Sequence, residues 1–338
     1  MSTAARARIS VLFLAVAAWL ATPAVVSAYL TFGTTINGRS VTTRWTSMPL
    51  RYFLNSRAIT GVTSNQLQTV AAASFGAWSS VGTATVSTSF AGFTNAEPVR
   101  DDSATVIGFQ AHSELDRTLG VTSLTVDRTS GALVEADIFL NSFFDWSTLA
   151  GGESNKFDLQ GVLTHEVGHL LGLGHSLLGE TEIRPTGGRR VIAKRSVMFP
   201  IAYAVGTTLD RELQDDDRAA ISSIYPTSQF LHDSGSMSGR VTLGGAGVFG
   251  AHVVAFNTKT QEMVGGFTLN TSGQFVIDGL TPGIYVVRVE PIDDADIGSF
   301  FDETAKVDVN FKTTFHAQLV PVPAGGAGQA IEIKVTRK

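Results

Sequence analysis

Two apolar rhythms alternate along the chain. Between residues 64 and 79 apolar side chains recur at helical spacing: Val70, Ala71, Phe75, Ala77 and Trp78 share a face with Ser74, and Ser64 stands where a cap belongs. The same spacing returns at Leu159, Val162, Leu163, Val167, Leu170 and Leu171, behind Asp158 as a second cap. Residues 49–55, 85–90, 104–109, 119–126 and 134–141 instead form short runs bounded by turn residues, and read as strands. A strand, a helix, several strands and a second helix make an α+β order. After Pro226 the rhythm changes. Residues 227–235 are a polar linker, and 239–243, 251–256, 263–269, 274–277 and 285–289 are short strands separated by turns such as 270–273 and 280–283. Regular short strands with turn signals predict an all-β sandwich over 236–291, with strands at 307–311, 315–322 and 331–335 extending it through 292–338.

The first residues change the picture of where this chain works. Arg6 and Arg8 precede an apolar run over 9–20, Pro23 breaks it, and Val26, Ser27 and Ala28 suit cleavage before Tyr29. The run is shorter than the roughly 20 residues that span a bilayer. Residues 1–28 therefore read as a signal peptide and 29–47 as an extended lead-in, so the mature chain is expected outside the cell, secreted or held at the surface, with no stable membrane insertion. The 338 residues contain no cysteine, so its stability rests on packing, metal or both, not on disulfides. A net charge of −5 leaves no electrostatic footprint for a general nucleic-acid role.

The chemistry is concentrated in the second helix. Three of the seven histidines fall in His165-Glu166-Val-Gly-His169-Leu-Leu-Gly172-Leu-Gly-His175. Residues four apart lie one above the other on a helix, so His165 and His169 can take two adjacent corners of one zinc ion. Glu166 is placed beside such a metal, where a general base for the attacking water belongs. Gly172 can adopt the left-handed conformation that ends a helix and turns the chain. The turn would bring back His175 as third ligand and leave the fourth position open, the mark of a catalytic site.

This long motif, with Ser176 after the third histidine, resembles the matrixin branch of the metzincin zinc peptidases. Residues 196–200, Ser-Val-Met-Phe-Pro, resemble the Met-turn, with Met198 beneath the metal. Residues 213–225 are similar to the C-terminal helix of matrixins, and Asp216 and Asp217 match the acids that tie that helix to the Met-turn. The resemblance covers residues 48–226. It implies a metzincin-type catalytic domain, a twisted mixed sheet with an active-site helix and a C-terminal helix. It also implies one catalytic zinc and a peptide or protein substrate added antiparallel to an edge strand near 120–125. The part from 236 to 291 resembles the carboxypeptidase-regulatory-like sandwiches of exported enzymes.

The chain departs from the family in three places. Animal matrixins carry a second, structural zinc, but its His-rich pattern is missing; His112 with Asp116 is at best a remnant of it, and His112 reads as an ordinary loop or surface histidine. The segment after the motif is long: Arg184, Arg189, Arg190, Lys194 and Arg195 make it either a basic pocket wall or a solvated loop. Tyr203 falls too far past Met198 for a ligand and reads as a pocket or packing residue. Asp137 reads as a buried hydrogen-bonding acid or a calcium ligand. Asp293, Asp294, Asp296, Asp302 and Glu303 read as a solvated acidic turn or a calcium site. His252 and His316 read as structural. The expectation is an exported zinc endopeptidase. Its rivals are an extracellular binding or adhesion protein with a vestigial zinc domain, and a zinc hydrolase of non-peptide bonds in a closed pocket. Nothing in the sequence indicates an oligomeric state.

Overall fold

The computed structural model describes residues 8–11, 30–36, 39–99, 101–185, 187–302 and 304–338. Apart from Arg8–Val11, the expected signal peptide lies outside the described residues. In chain order the first elements are β1 (Arg8–Val11), β2 (Gly33–Ile36), β3 (Arg39–Thr42), β4 (Leu50–Asn55), α1 (Ser64–Ser79), β5 (Thr88–Thr94), β6 (Val106–Gln110), β7 (Gly120–Asp127) and β8 (Leu133–Asn141). Then come β9 (Trp146–Ser147), β10 (Phe157–Asp158), α2 (Leu159–Leu170), β11 (Gly179–Ile183), β12 (Arg189–Lys194), α3 (Asp215–Ile224) and α4 (Ser228–Asp233). The remainder is β13 (Gly235–Leu243), β14 (Ala246–Gly247), β15 (His252–Asn257), β16 (Met263–Phe267), β17 (Gln274–Leu280), β18 (Gly283–Glu290), β19 (Thr314–Phe315), β20 (Val320–Val322) and β21 (Ile331–Val335).

The first half is built on a mixed sheet in the order β1-β7-β8-β6-β4-β5. Strands β5, β4, β6 and β8 run parallel, and β7 returns antiparallel to β8. β1 lies antiparallel on β7 from Leu124 to Asp127, so 120–123 of that edge carry no partner strand among the described residues. Helix α1 spans the expected residues, but its cap is one residue earlier than the pattern suggested. Thr63 is the cap, and its side chain and that of Gln66 satisfy each other's backbone N–H. Its buried face, including Phe75 and Trp78, packs on α2, and the Trp78 indole donates to the Thr164 carbonyl at 2.9 Å. The expected strand at 85–90 begins at Thr88, because the sheet partner of Leu50 is Thr88.

The second half has two sheets. One runs β14-β13-β17 with β21 parallel on β13; the other runs β16-β15-β18-β19 with β20 on β18. Alternate residues of both, such as Met237, Val241 and Ile277 on one and Val253, Val287 and Val289 on the other, are buried in a common core. Residues 307–311, expected as a strand, have no regular structure, although Phe311 is fully buried. The expected linker, 227–235, is also different: it folds into α4 and the start of β13. Thr227 caps α4 by accepting from Phe230 N–H at 3.1 Å, and the Phe230 ring packs where a side chain on Gly279 would sit.

The halves do not hang apart. Helix α3 packs against β16 and β17, and a single buried cluster includes residues of both. A second cluster joins Leu177, Val191 and Phe199 of the first half to Phe267, Phe300 and Phe301 of the second. Thr181 N–H donates to Asp294 Oδ1 at 2.7 Å across the same seam. Among the described residues no helix is long and apolar enough to cross a membrane.

Candidate metal centre

Helix α2 is fixed at both ends by groups far away in sequence. Asp158 caps its start by accepting from Gly161 N–H at 2.9 Å, and Arg211 clamps the same carboxylate at 2.8 and 2.5 Å. At the other end two carbonyls left over by the helix find donors: the Trp45 indole reaches Leu170 O and the Tyr225 hydroxyl reaches Leu171 O, each at 2.8 Å. Leu171 is the last cap residue, and Gly172 then takes φ +101°. A side chain there would collide with the Thr43 carbonyl, so the turn needs glycine for space as well as for conformation.

That turn gathers the three histidines. One ring nitrogen from each of His165, His169 and His175 lies within 4.8 Å of the others. Each ring is oriented by a backbone carbonyl at Nδ1: Val197 O for His165 at 2.7 Å, Leu173 O for His169 at 2.8 Å, and Ser299 O for His175 at 2.6 Å. A carbonyl only accepts, so Nδ1 must carry the proton in all three rings. Nε2 is then a bare lone pair in each. The Nε2 atoms of His169 and His175 stand 3.2 Å apart, and with both protons on Nδ1 they cannot bond each other. Two tetrahedral Zn–N bonds of about 2.0–2.1 Å would put the nitrogens roughly 3.3 Å apart. The donor set therefore fits zinc. Burial, followed by the neighbouring imidazoles, holds His165 well below the usual histidine range and His169 down to about 3; burial, opposed by the Ser299 carbonyl and aided by the charge of Lys194, brings His175 down to about 4, so the rings stay neutral.

Glu166 lies next to this point and is almost fully buried. Thr122 on β7 donates its hydroxyl to Glu166 Oε2 at 2.7 Å. Burial pushes Glu166 up to about 7, against the opposing pull of that hydrogen bond. Gly120 gives the carboxylate room, since a Cβ there would come within 3.1 Å of Oε1. Met198 is buried against the helix: a Cβ on Gly168 would lie 2.3 Å from its sulfur. The turn that carries it is held by Asp217, which accepts from Ser196 Oγ at 2.6 Å, from Val197 N–H at 2.8 Å and from Met198 N–H at 3.2 Å. Asp216 turns the other way, accepting from Ser176 Oγ at 2.6 Å and from Gly265 N–H of the sandwich at 2.8 Å. Burial raises both acids, and the neighbouring Asp217 adds to the rise at Asp216.

Residues 44–226 match the matrixin family, Peptidase M10. The chain belongs to the matrixin family. No curated protein matches this matrixin in sequence. Two solved structures are similar over part of it. The Bacillus anthracis TIE protein has 16% identity and a TM-score of 0.22, covering 31% of this chain and 17% of its own. GBS52, the minor pilin of Streptococcus agalactiae, has 12% identity and a TM-score of 0.20, covering 31% of this chain and 45% of its own. The matrixin thus spans less than half the length of either.

Other residues singled out in the sequence fall elsewhere. The segment over 177–195 is a hairpin, β11 with β12, and two of its five basic residues, Arg190 and Lys194, are paired with acids. Lys194 is buried on Asp210 at 2.7 Å and lies 5.2 Å from the Tyr203 ring centre, Arg190 donates to Glu182, and Arg189 donates to Thr181 Oγ1. Arg184, Arg189 and Tyr203 line a cleft of about 1880 Å³ that includes the histidines. His112 bonds Glu114, not Asp116, and its ring packs on Phe139. Asp137 is buried and accepts from Val106 N–H. Asp294 holds Thr181, Asp302 accepts from Thr304 N–H, and among the described residues no second group of three histidines or acids gathers as a metal would require. His252 is buried on Glu290. Thr122, Gly168 and Ser299 were not legible as site residues, because a Thr in a strand, a Gly in a helix and a Ser in a turn are each ordinary. Gly168, between His165 and His169 and costly to a helix, carried the one usable signal.

Proposed function

We propose that this matrixin is an exported zinc-dependent endopeptidase in which His165, His169 and His175 hold one zinc and Glu166 is the general base. The observation that carries the reading is the convergence of three bare Nε2 atoms, each fixed by a carbonyl at Nδ1, beside a buried carboxylate. Zinc, when bound there, supplies Lewis-acid activation of the attacking water and of the scissile carbonyl. Glu166 takes the proton of that water on the oxygen that Thr122 leaves free, and passes it to the departing amine. Met198 gives the ligand helix an apolar base, and Asp217 keeps the turn that orients His165. A peptide lying antiparallel on the open edge of β7 at 120–123 would reach Glu166 through Gly120 and Thr122. The cleft supports a polymer rather than a small amide: about 1880 Å³ exceeds the roughly 300–1,000 Å³ of small-molecule pockets.

The test is cleavage of casein by residues 29–338, with zinc content measured in parallel. Glu166→Gln is expected to keep one zinc per chain and lose about 10²–10⁴-fold in kcat. Chelation should abolish wild-type cleavage and zinc should restore it. Equal turnover by wild type and Glu166→Gln would refute the assigned base.

A further inference from the structure

The third ligand is oriented by the sandwich, not by its own domain. His175 Nδ1 meets the carbonyl of Ser299 at 2.6 Å, the shortest of the three ligand anchors, from a residue 124 positions away. Ser299 ends a tight turn over Ile297–Ser299. Its own N–H donates to Asp296 O at 2.9 Å, and the N–H of Phe300 and of Phe301 both donate to Ile297 O. The turn is pressed against the site by aromatic packing. The Phe300 ring lies edge-on to the His175 ring at 6.2 Å, and Phe267 packs on Phe300 at 5.6 Å and on Phe301 at 5.8 Å. Phe300 and Phe301 are nearly buried, sharing a cluster with Leu177 and Phe199, which flank His175 and Met198 in sequence. The residue that follows His175 is also tied to the sandwich, through Asp216, which bridges Ser176 Oγ and Gly265 N–H.

We infer that the C-terminal sandwich is a working part of the metal centre: the Ser299 carbonyl, held in place by Phe300 and Phe301, is the positioning group that sets the tautomer and direction of His175. The inference rests on the zinc reading above. A carbonyl at Nδ1 raises the basicity of Nε2 and removes a rotation that the ring would otherwise have to lose on metal binding. Among the described residues no group from 44–226 takes that place, so the peptidase domain carries two oriented ligands and the sandwich orients the third.

The experiment is zinc competition against a chromogenic chelator on the mature full-length chain. It compares wild type, Phe300→Ala/Phe301→Ala, Ser299→Pro and Phe315→Ala. Ser299→Pro removes the N–H that closes the turn while keeping both aromatic rings in the sequence, and Phe315 is an exposed ring elsewhere in the sandwich. Thermal unfolding of each apo chain establishes that it is folded. Loss of an outer partner of a metal ligand costs about 10–100-fold in affinity. That loss is expected for the first two variants, with Phe315→Ala at the wild-type value. ¹⁵N-histidine NMR of the zinc-loaded wild type should show a slowly exchanging Nδ1 proton on His175 that exchanges faster in Phe300→Ala/Phe301→Ala. Folded variants with wild-type zinc affinity, or a His175 bound through Nδ1, would overturn the inference while leaving the zinc site standing. A wild-type chain that took up no zinc would overturn the site and the inference together.

Discussion

The helix that carries His165 and His169 and the segment that carries His175 are held by different means. His169 finds its acceptor 4 residues on, at Leu173, and His165 finds its own 32 residues on, in the turn of Met198. Both anchors belong to the peptidase half. His175 finds its acceptor 124 residues on, in the sandwich. The adjacent acids repeat the division. Asp217 bonds Ser196, Val197 and Met198 on the side of His165, and Asp216 bonds Ser176 and Gly265 on the side of His175. The site is thus half built into one domain and half into a contact between two, and the second half is the one that a change in docking can loosen.

Four substitutions test that division, in falling order of expected effect. Asp217→Ala strips the acceptor from several buried donors and should destabilise the chain by about 3 kcal/mol in urea unfolding. Gly168→Ala drives a methyl into Met198 and Trp78 and should cost about 2 kcal/mol by the same measurement, with His165 displaced along with the helix. Asp216→Asn keeps one acceptor oxygen and should cost only about 1 kcal/mol, its mark being weaker zinc retention on the His175 side. Asp216→Asn matching Asp217→Ala in stability would erase the distinction between the two acids. Thr122→Val removes one hydrogen bond to Glu166 and should lower kcat/KM by about tenfold or less with zinc content unchanged. A larger loss, or a loss of zinc, would place Thr122 in the metal site itself.

The legible parts were those where neighbours in sequence are neighbours in space. The apolar stripe of α2, the Asp158 cap and the positive φ of Gly172 all follow from helical geometry over a few residues. The hairpin over 177–195 was harder, because its basic residues say nothing about Asp210 and Glu182, which pair with Lys194 and Arg190, or about Thr181, which accepts from Arg189. Residues 227–235 looked like a linker because polar side chains predominate. Yet a single cap at Thr227 and the half-buried ring of Phe230, set against Gly279, were enough for a short helix. Residues 307–311 alternate like a strand but lack a partner strand among the described residues; Phe311 is fully buried, and Val307 and Val309 pack partly buried on the second cluster.

What the sequence determined by itself is the local frame: a helix that puts His165 above His169 with Glu166 beside them, a glycine that lets the chain return, and a family match over residues 44–226. Only the tertiary structure decided which nitrogen of each ring faces the metal point, because that follows from where three carbonyls stand and two of those come from distant turns. Helical spacing is encoded by a period of a few residues. The acceptor of a hydrogen bond formed across 124 residues is encoded only by the packing of α3, Phe267 and Phe300 that brings the sandwich to the cleft.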